Sequence, residues 1–444
     1  MERPTPINKQ YLYGTLVLAL LVFASYIINM NSIVLFSVLA VSAMMFFTDL
    51  KTATCMLFLF SSFSYIIVYN AISLIVIVSV AYIFKVMLQS RVNIRVIAAA
   101  CVVFGYCMLF NDTSVSFKIG SIINIVFFIT MGVVCSVLET EDFDDVFKYY
   151  VLGFTITAVL GMFTTKIPSL AAISNIDYLV IDKFTTQDNM YNTIRYAGLS
   201  YDPNFFSMSV CVIVSAVLFG SKTKLDFKKL LVILFLTCAG FFTYSKSYVI
   251  MIAAIYGIYF LKNDKNSIKK IAFGFIVAVL FVIIDRYLNL GVIDNIIRRF
   301  VSDSVAGNIT TGRTVLWKEY FEYITDDVKI MFFGKGYNAH SLRKAVHNTY
   351  IEYWYHFGVF GCILWVSYFY VCFTTIKSKS KNIITKKNSI PFISFVVAIF
   401  FLNSLKFEHT WILLCLSFYS LKLSFKKSEV PSVNGNIKYN SSGV

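Results

Sequence analysis

Asn289 to Gly361 reads NLGVIDNIIRRFVSDSVAGNITTGRTVLWKEYFEYITDDVKIMFFGKGYNAHSLRKAVHNTYIEYWYHFGVFG. It is the one long polar interruption in a chain built mostly of apolar runs. Between residues 288 and 348 eight cations (Arg298, Arg299, Arg313, Lys318, Lys329, Lys335, Arg343 and Lys344) meet six acids (Asp294, Asp303, Glu319, Glu322, Asp326 and Asp327), which leaves +2. This is no bulk basic patch, so an anion bound here is held by a few placed side chains. The stretch ends by delivering His347 to the mouth of the next apolar run.

Hydrophobic residues make up 58% of the 444 and charged residues 14%. A soluble fold of this size cannot hide that much apolar surface, so the chain reads as a polytopic membrane protein. The formal net charge is +15. It does not point to nucleic acid, because most Lys and Arg lie in short connections between apolar runs, which is a topology signal. All nine cysteines fall inside apolar runs, without a Cys-x-x-Cys or Cys/His cluster. They read as small residues of the membrane core, not as disulfides or metal ligands, and no cofactor is implied. The run 11–30 follows Arg3 and Lys9 and has no small-x-small cleavage site after it, so it reads as a first membrane helix.

A spanning helix takes about 20 apolar residues. That ruler predicts helices near 11–30, 32–48, 53–69, 71–88, 94–110, 119–138, 148–165, 203–220, 228–243, 247–262, 270–287, 349–375, 389–405 and 408–422. The expected fold class is therefore an all-α integral membrane protein of about 14 transmembrane helices. With the N-terminus and C-terminus inside, cytoplasmic connections hold 24 Lys/Arg and the outer side 15 of the 39, eight of them in the 288–348 loop. Long loops cross largely regardless of charge, and without that loop the ratio is 24 to 7. This gives one membrane domain over 1–427 and a polar, disordered cytoplasmic tail over 428–444. It also gathers the 166–203 loop, the 243–247 turn and the 288–348 loop on one outer face.

Several polar groups stand out on that face. Arg195 precedes Asp202-Pro203-Asn204, where Asp202 reads as N-cap and Pro203 as the first helical residue. Arg195 is either an interfacial side chain beside a capped helix or a phosphate ligand, for which its planar, permanently charged fork is suited. Lys246 sits in the tight turn Thr243-Tyr244-Ser245-Lys246-Ser247, as a snorkelling lysine or as an anion contact at a helix start. Arg313 follows Thr310-Thr311-Gly312 and opens an amphipathic segment with Leu316, Tyr320 and Ile324 on one face. A cation at that N-terminal turn opposes the helix dipole, which weighs against a purely structural role. Thr349-x-x-Glu352 reads as a capping box, with His347 just outside the helix it starts, able to take a proton when neutral or to pair with phosphate when charged. Gly334-Lys335-Gly336 reads as a turn, and Gly358 and Gly361 as points of close helix packing. The acid run Glu139, Glu141, Asp142, Asp144 and Asp145 lies on the opposite, cytoplasmic face and reads as a solvated surface, not a metal site.

Four pieces in this order resemble the bacterial O-antigen polymerase and O-antigen ligase superfamily: R-Y-A-G-x3-D-P-N at 195–204, T-Y-S-K-S at 243–247, G-R-x3-W at 312–317 and G-K-G-x10-H-N-x-Y at 334–350. The resemblance covers roughly residues 195 to 361. The turn carries Ser245-Lys246 where the family's usual pair is Ser-Arg, which puts a point charge in place of a fork, and the Arg-x10-Gly spacing of some polymerases is absent. The resemblance implies a glycosyltransferase acting on undecaprenyl-diphosphate-linked oligosaccharide at the outer face of the bacterial cytoplasmic membrane. Arg195, Arg313 and Lys246 would then bind diphosphate and His347 would serve as base, with Asp202, Asn204, Asn348 and Tyr350 in support. Its partners would be membrane lipid and the chain-length regulator and flippase of the same pathway. Polymerase is the first reading, because of Asp202-Pro203-Asn204 and the many helices. Ligase, with lipopolysaccharide core as acceptor, is the alternative. A lipid-linked oligosaccharide flippase or transporter is the rival from another class, but it should place ionisable residues or broken helices at mid-membrane.

Overall fold

The computed structural model describes residues 7–69, 72–90, 92–110, 119–166, 195–200, 202–220, 225–261, 267–305, 312–337, 339–342, 344–377, 386–402 and 408–422. The 428–444 tail, most of the 166–203 loop and the connections carrying Lys222, Lys224, Lys262 and Lys265 lie outside them. The described helices are α1 Lys9–Ile27, α2 Ser32–Phe46, α3 Leu50–Ser61, α4 Ile75–Gln89, α5 Ile94–Leu109 and α6 Ile119–Val137. Next come α7 Phe143–Leu160, α8 Pro203–Ser215, α9 Phe227–Phe241, α10 Lys246–Leu261, α11 Ser267–Tyr287 and α12 Val292–Val305. The chain closes with α13 Arg313–Asp326, α14 Val328–Phe333, α15 Thr349–Thr375, α16 Lys386–Phe400 and α17 Glu408–Lys422.

Each of the fourteen predicted stretches carries a helix. Lys9–Ile27, Phe143–Phe163, Pro203–Gly220 and Thr349–Thr375 are long and apolar enough to cross a membrane alone, and most of the others are shorter apolar helices. Side chains close the open N–H groups at several starts: Asn8, Asp49, Asn93, Asp202 and Asp226 each accept a backbone N–H of the turn they begin. Such a cap contributes about 1 kcal/mol in water, and more is at stake where no water can replace it.

The 53–69 stretch departs from expectation. Its helix α3 ends at Ser61, and the chain continues as a short turn, Ser64–Ile66, and a hairpin pairing Val68–Tyr69 with Ile72–Ser73. The Ser62 hydroxyl donates to the Leu59 carbonyl, the local competition that makes serine a poor helix former. Tyr26 then donates to the freed Ile66 carbonyl. A helix of 12 residues suffices because α3 is buried among its neighbours from Thr52 onward.

Contacts sort the helix ends into two groups. In one, Ser64 bonds His409, Tyr106 bonds Phe333 and Phe357, Tyr196 bonds Phe242, and Thr349 bonds Leu402. In the other, Lys85 donates to the Phe46 and Thr48 carbonyls, and Thr140 N–H donates to the Lys377 carbonyl. The acid run belongs to this second end and is not merely solvated. Lys51, with 13% of its side chain exposed, bridges Asp142 at 2.8 Å and Asp145 at 2.7 Å and so ties α3 to α7.

The polar interruption is helical too. α11 and α12 meet at 97°. The elbow is fixed by Asp285, 2% exposed, which accepts the Val292 and Ile293 N–H groups at the start of α12. Arg286 adds a two-pronged bridge to Asp294 at 2.7 and 3.0 Å. Further on, Gly334 and Gly358 let two backbones touch. A Cβ on Gly334 would lie 2.3 Å from the His356 carbonyl oxygen, and one on Gly358 equally close to Phe332. Gly358 (φ 64°) breaks α15 there, so the Tyr355 and His356 carbonyls accept from the N–H groups of Lys335 and Gly336.

Candidate active site

Two consecutive carbonyls after the C-terminus of α9 each receive an arginine from elsewhere in the chain. Arg195 Nε donates to the Thr243 carbonyl at 2.8 Å, and Arg299 Nη1 on α12 donates to that of Tyr244 at 3.3 Å. The turn holds this shape through Tyr244 at φ 49° and the Thr243 hydroxyl, which donates to the Gly240 carbonyl. Cations suit this place, because carbonyls at a helix C-terminus carry partial negative charge. Lys246 opens α10 beside them, its Nζ 5.9 Å from the Phe300 ring centroid. Ser245 and Ser247 face each other at 3.0 Å across the start of that helix.

Arg195 also reaches across to α8, where Nη2 donates to Asn204 Oδ1 at 3.2 Å. Asp202 caps this helix, accepting the Asn204 N–H at 2.6 Å, with Pro203 first, as the sequence predicts.

Arg313 is the first residue of α13, after Gly312 at φ 76°. A cation at a helix N-terminus needs compensation, and Arg313 finds it at the opposite pole of another helix, donating to the Phe401 carbonyl just past α16 at 3.2 Å. The next carbonyl, Leu402, accepts from the Thr349 hydroxyl at 2.6 Å. This corrects the expected capping box. Asn348 is the cap, its Oδ1 accepting the Tyr350 and Ile351 N–H groups, which frees Thr349 to hold the end of α16.

His347 stands at φ 50° between buried Val346 and buried Asn348. A left-handed backbone is uncommon outside glycine, though histidine adopts it more readily than most. The segment is pinned because Trp317 of α13 donates to the Val346 carbonyl at 2.9 Å. The tryptophan of G-R-x3-W thus sets the distance between Arg313's helix and His347.

The charges act on one another. Burial, followed by the positive charge of Arg313, lowers the pKa of His347, while Asp202 acts in the opposite sense. Burial also lowers that of Arg313, with Asp202 opposing and Arg299 reinforcing the shift. An arginine stays charged regardless. The neutral imidazole is the favoured form of His347 at pH 7, as a proton acceptor requires. Asp202 thus acts electrostatically on both Arg313 and His347, and Arg195 joins the group through Asn204 and the Thr243 turn.

Of the residues singled out in the sequence, Arg195, Asp202, Asn204, Lys246, Arg313, His347 and Asn348 gather at this one end of the bundle. Tyr350 turns away, donating to the Val396 carbonyl of α16 at 2.9 Å. The Gly334-Lys335-Gly336 turn is spent on the break in α15. Arg299 also belongs to this end, although no sequence motif marks it. Its signal was its place at the edge of an amphipathic run, beside Ile296 and Phe300.

Residues 231–366 match the family model described as O-antigen ligase. The match runs from α9 into α15 and takes in Lys246, Arg299, Arg313 and His347, whereas Arg195, Asp202 and Asn204 precede it. No curated protein and no solved structure matches the chain. The family match supports the O-antigen polymerase and ligase superfamily, the same one that the four sequence pieces resemble.

Proposed function

We propose that this chain is a surface-polysaccharide polymerase of the O-antigen polymerase and ligase superfamily. It transfers a growing glycan from undecaprenyl diphosphate onto the non-reducing end of a new undecaprenyl-diphosphate-linked repeat. The observation that carries the reading is the gathering of Arg195, Arg299, Arg313 and His347 at one end of an apolar helical bundle, with Asp202 acting on Arg313 and His347. In the reaction the bond between the anomeric carbon and the phosphate oxygen breaks, and a sugar hydroxyl of the acceptor bonds to that carbon. Negative charge grows on the departing diphosphate, where fixed cations stabilise it more than they stabilise the ground state. The hydroxyl proton passes to neutral His347.

In this reading the chain spans the cytoplasmic membrane fourteen times as one domain over 1–427, with both termini inside, on the 24-to-7 bias of Lys and Arg. The site faces outward, where exported repeats arrive from a flippase and where a chain-length regulator would act. Side-chain cations do the neutralising, without a metal. The ligase reading has its own support in the description of the matched family.

Deleting the gene in its host and resolving surface polysaccharide on a gel separates the readings. Loss of the ladder with a single capped repeat retained is expected, and restoration by wild type but not by Arg313→Ala. Loss of every modified species would overturn the polymerase reading in favour of ligase or flippase.

A further inference from the structure

Behind the turn that holds Arg195 and Arg299 lies an apolar groove of about 730 Å³ between α9, α10 and α11. Ligand pockets commonly measure about 300–1,000 Å³. Its walls include Phe281 and the exposed Ala253 and Ala278, and its roof is the underside of α12, with Ile293, Ile296 and Ile297. The groove therefore runs between these helices and is lined at one end by α12, which meets α11 at 97°.

The same helix carries Arg299 on the edge of its apolar face. Arg299 is half-buried, donates to the Tyr244 carbonyl and lies close enough to Arg313 for the two like charges to oppose each other. Arg298, its neighbour, is exposed. Phe300, one position on, supports Lys246. One helix thus presents apolar residues to the groove and a cation to the site. Its elbow is set by buried Asp285 and by the Arg286–Asp294 bridge.

We infer that Arg299 is a further diphosphate-binding residue of the site, and that the groove roofed by its own helix takes the isoprenoid tail of the same lipid diphosphate. The inference rests on the function proposed above and adds to it a residue and a tail site. Charge complementarity chooses the occupant. An ordinary bilayer lipid fills an apolar groove equally well, but a lipid whose tail ends directly in a diphosphate places two phosphates among Arg299, Lys246 and Arg195. Arg299 would bind the head, and Ile293, Ile296 and Ile297 would report whether a tail is beneath it. Lipid-linked and soluble diphosphates would then be told apart by the seating of one helix.

Binding to the purified full chain tests this with three probes that share a headgroup: undecaprenyl diphosphate, farnesyl diphosphate and inorganic diphosphate. The expected order of affinity is the order of tail length. Arg299→Ala should weaken all three by about tenfold or more, the loss typical of a charged hydrogen bond. Arg299→Lys should recover part of it, and Arg298→Ala should change little. Ala278→Trp, which fills the groove, should weaken undecaprenyl diphosphate and spare inorganic diphosphate, and Ala253→Trp from the other wall should do the same. Equal effects of Arg299→Ala and Arg298→Ala would overturn the assignment of the residue. Equal loss of all three probes on filling the groove, or no loss of any, would overturn the tail site. Wild-type chain that binds lipid diphosphate yet lengthens no glycan would instead strike at the proposed function.

Discussion

Lys51 and Arg299 are both part-buried cations that meet the end of another helix, yet they are held in different ways. At the cytoplasmic-side end of the proposed topology, Lys51 stands between Asp142 and Asp145 at under 3 Å, and its charge is answered by carboxylates. At the other end, Arg299 rests on a neutral carbonyl, as Arg313 rests on Phe401 and Arg195 on Thr243. Carbonyls at helix C-termini orient a guanidinium without cancelling its charge. The first arrangement ties helices together and leaves little field. The second holds guanidiniums on carbonyls, with Asp202 acting on Arg313 more strongly than Arg299 does, and in the proposed function these guanidiniums meet the diphosphate.

Damage at the two ends should differ in kind. The largest effect belongs to His347. His347→Ala should lower turnover by about 10²–10⁴, the usual share of general acid–base catalysis, and His347→Gln should not rescue it. Because burial and Arg313 both disfavour its charged form, the acid limb of kcat/KM should have its midpoint below the ordinary histidine value of about 6.5. Activity should be retained above that midpoint and lost as pH falls through it. A limb well above 6.5, or appreciable activity in the glutamine variant, would favour a phosphate contact over a base.

Lys51→Met should do the opposite. It leaves Asp142 and Asp145 without their lysine in a partly screened place, so a stability loss of about 1–3 kcal/mol is expected, read as a lower unfolding temperature in detergent. Turnover per folded molecule should be unchanged. A catalytic defect without destabilisation would erase the distinction between the ends. The smallest effect, none at all, is expected from excess chelator in a purified assay of chain lengthening. Loss of activity restored by magnesium or manganese would transfer charge neutralisation from arginines to an ion.

The sequence exposes one of these ends much better than the other. Asp202-Pro203 announces the start of α8, and His347 is visible as the polar residue before a long apolar run, because caps and apolar runs are local signals. Ser61, Ser62 and Ser64 mark the end of α3, but an apolar run of spanning length masks that local signal. The Lys51 bridge was hidden for another reason: its partners lie some ninety residues away, and an acid run looks solvated until a lysine is packed against it. Arg299 was hidden by the elbow. Its direction depends on Asp285, which looks like an ordinary charge at a span's end until it is found capping α12 from below.

In the proposed reaction, arginines far apart in the chain act on one bound diphosphate. The most direct measurement is a double-mutant cycle between Arg195 and Arg313, reading chain lengthening at matched membrane expression. Each alanine variant should lose about 10²–10³ in rate, as for removal of one group stabilising a transition-state charge. The pair should then lose far less than the product, with a coupling of at least about 1 kcal/mol. Losses that simply multiply, with no coupling, would place the two arginines on different tasks and contradict the account.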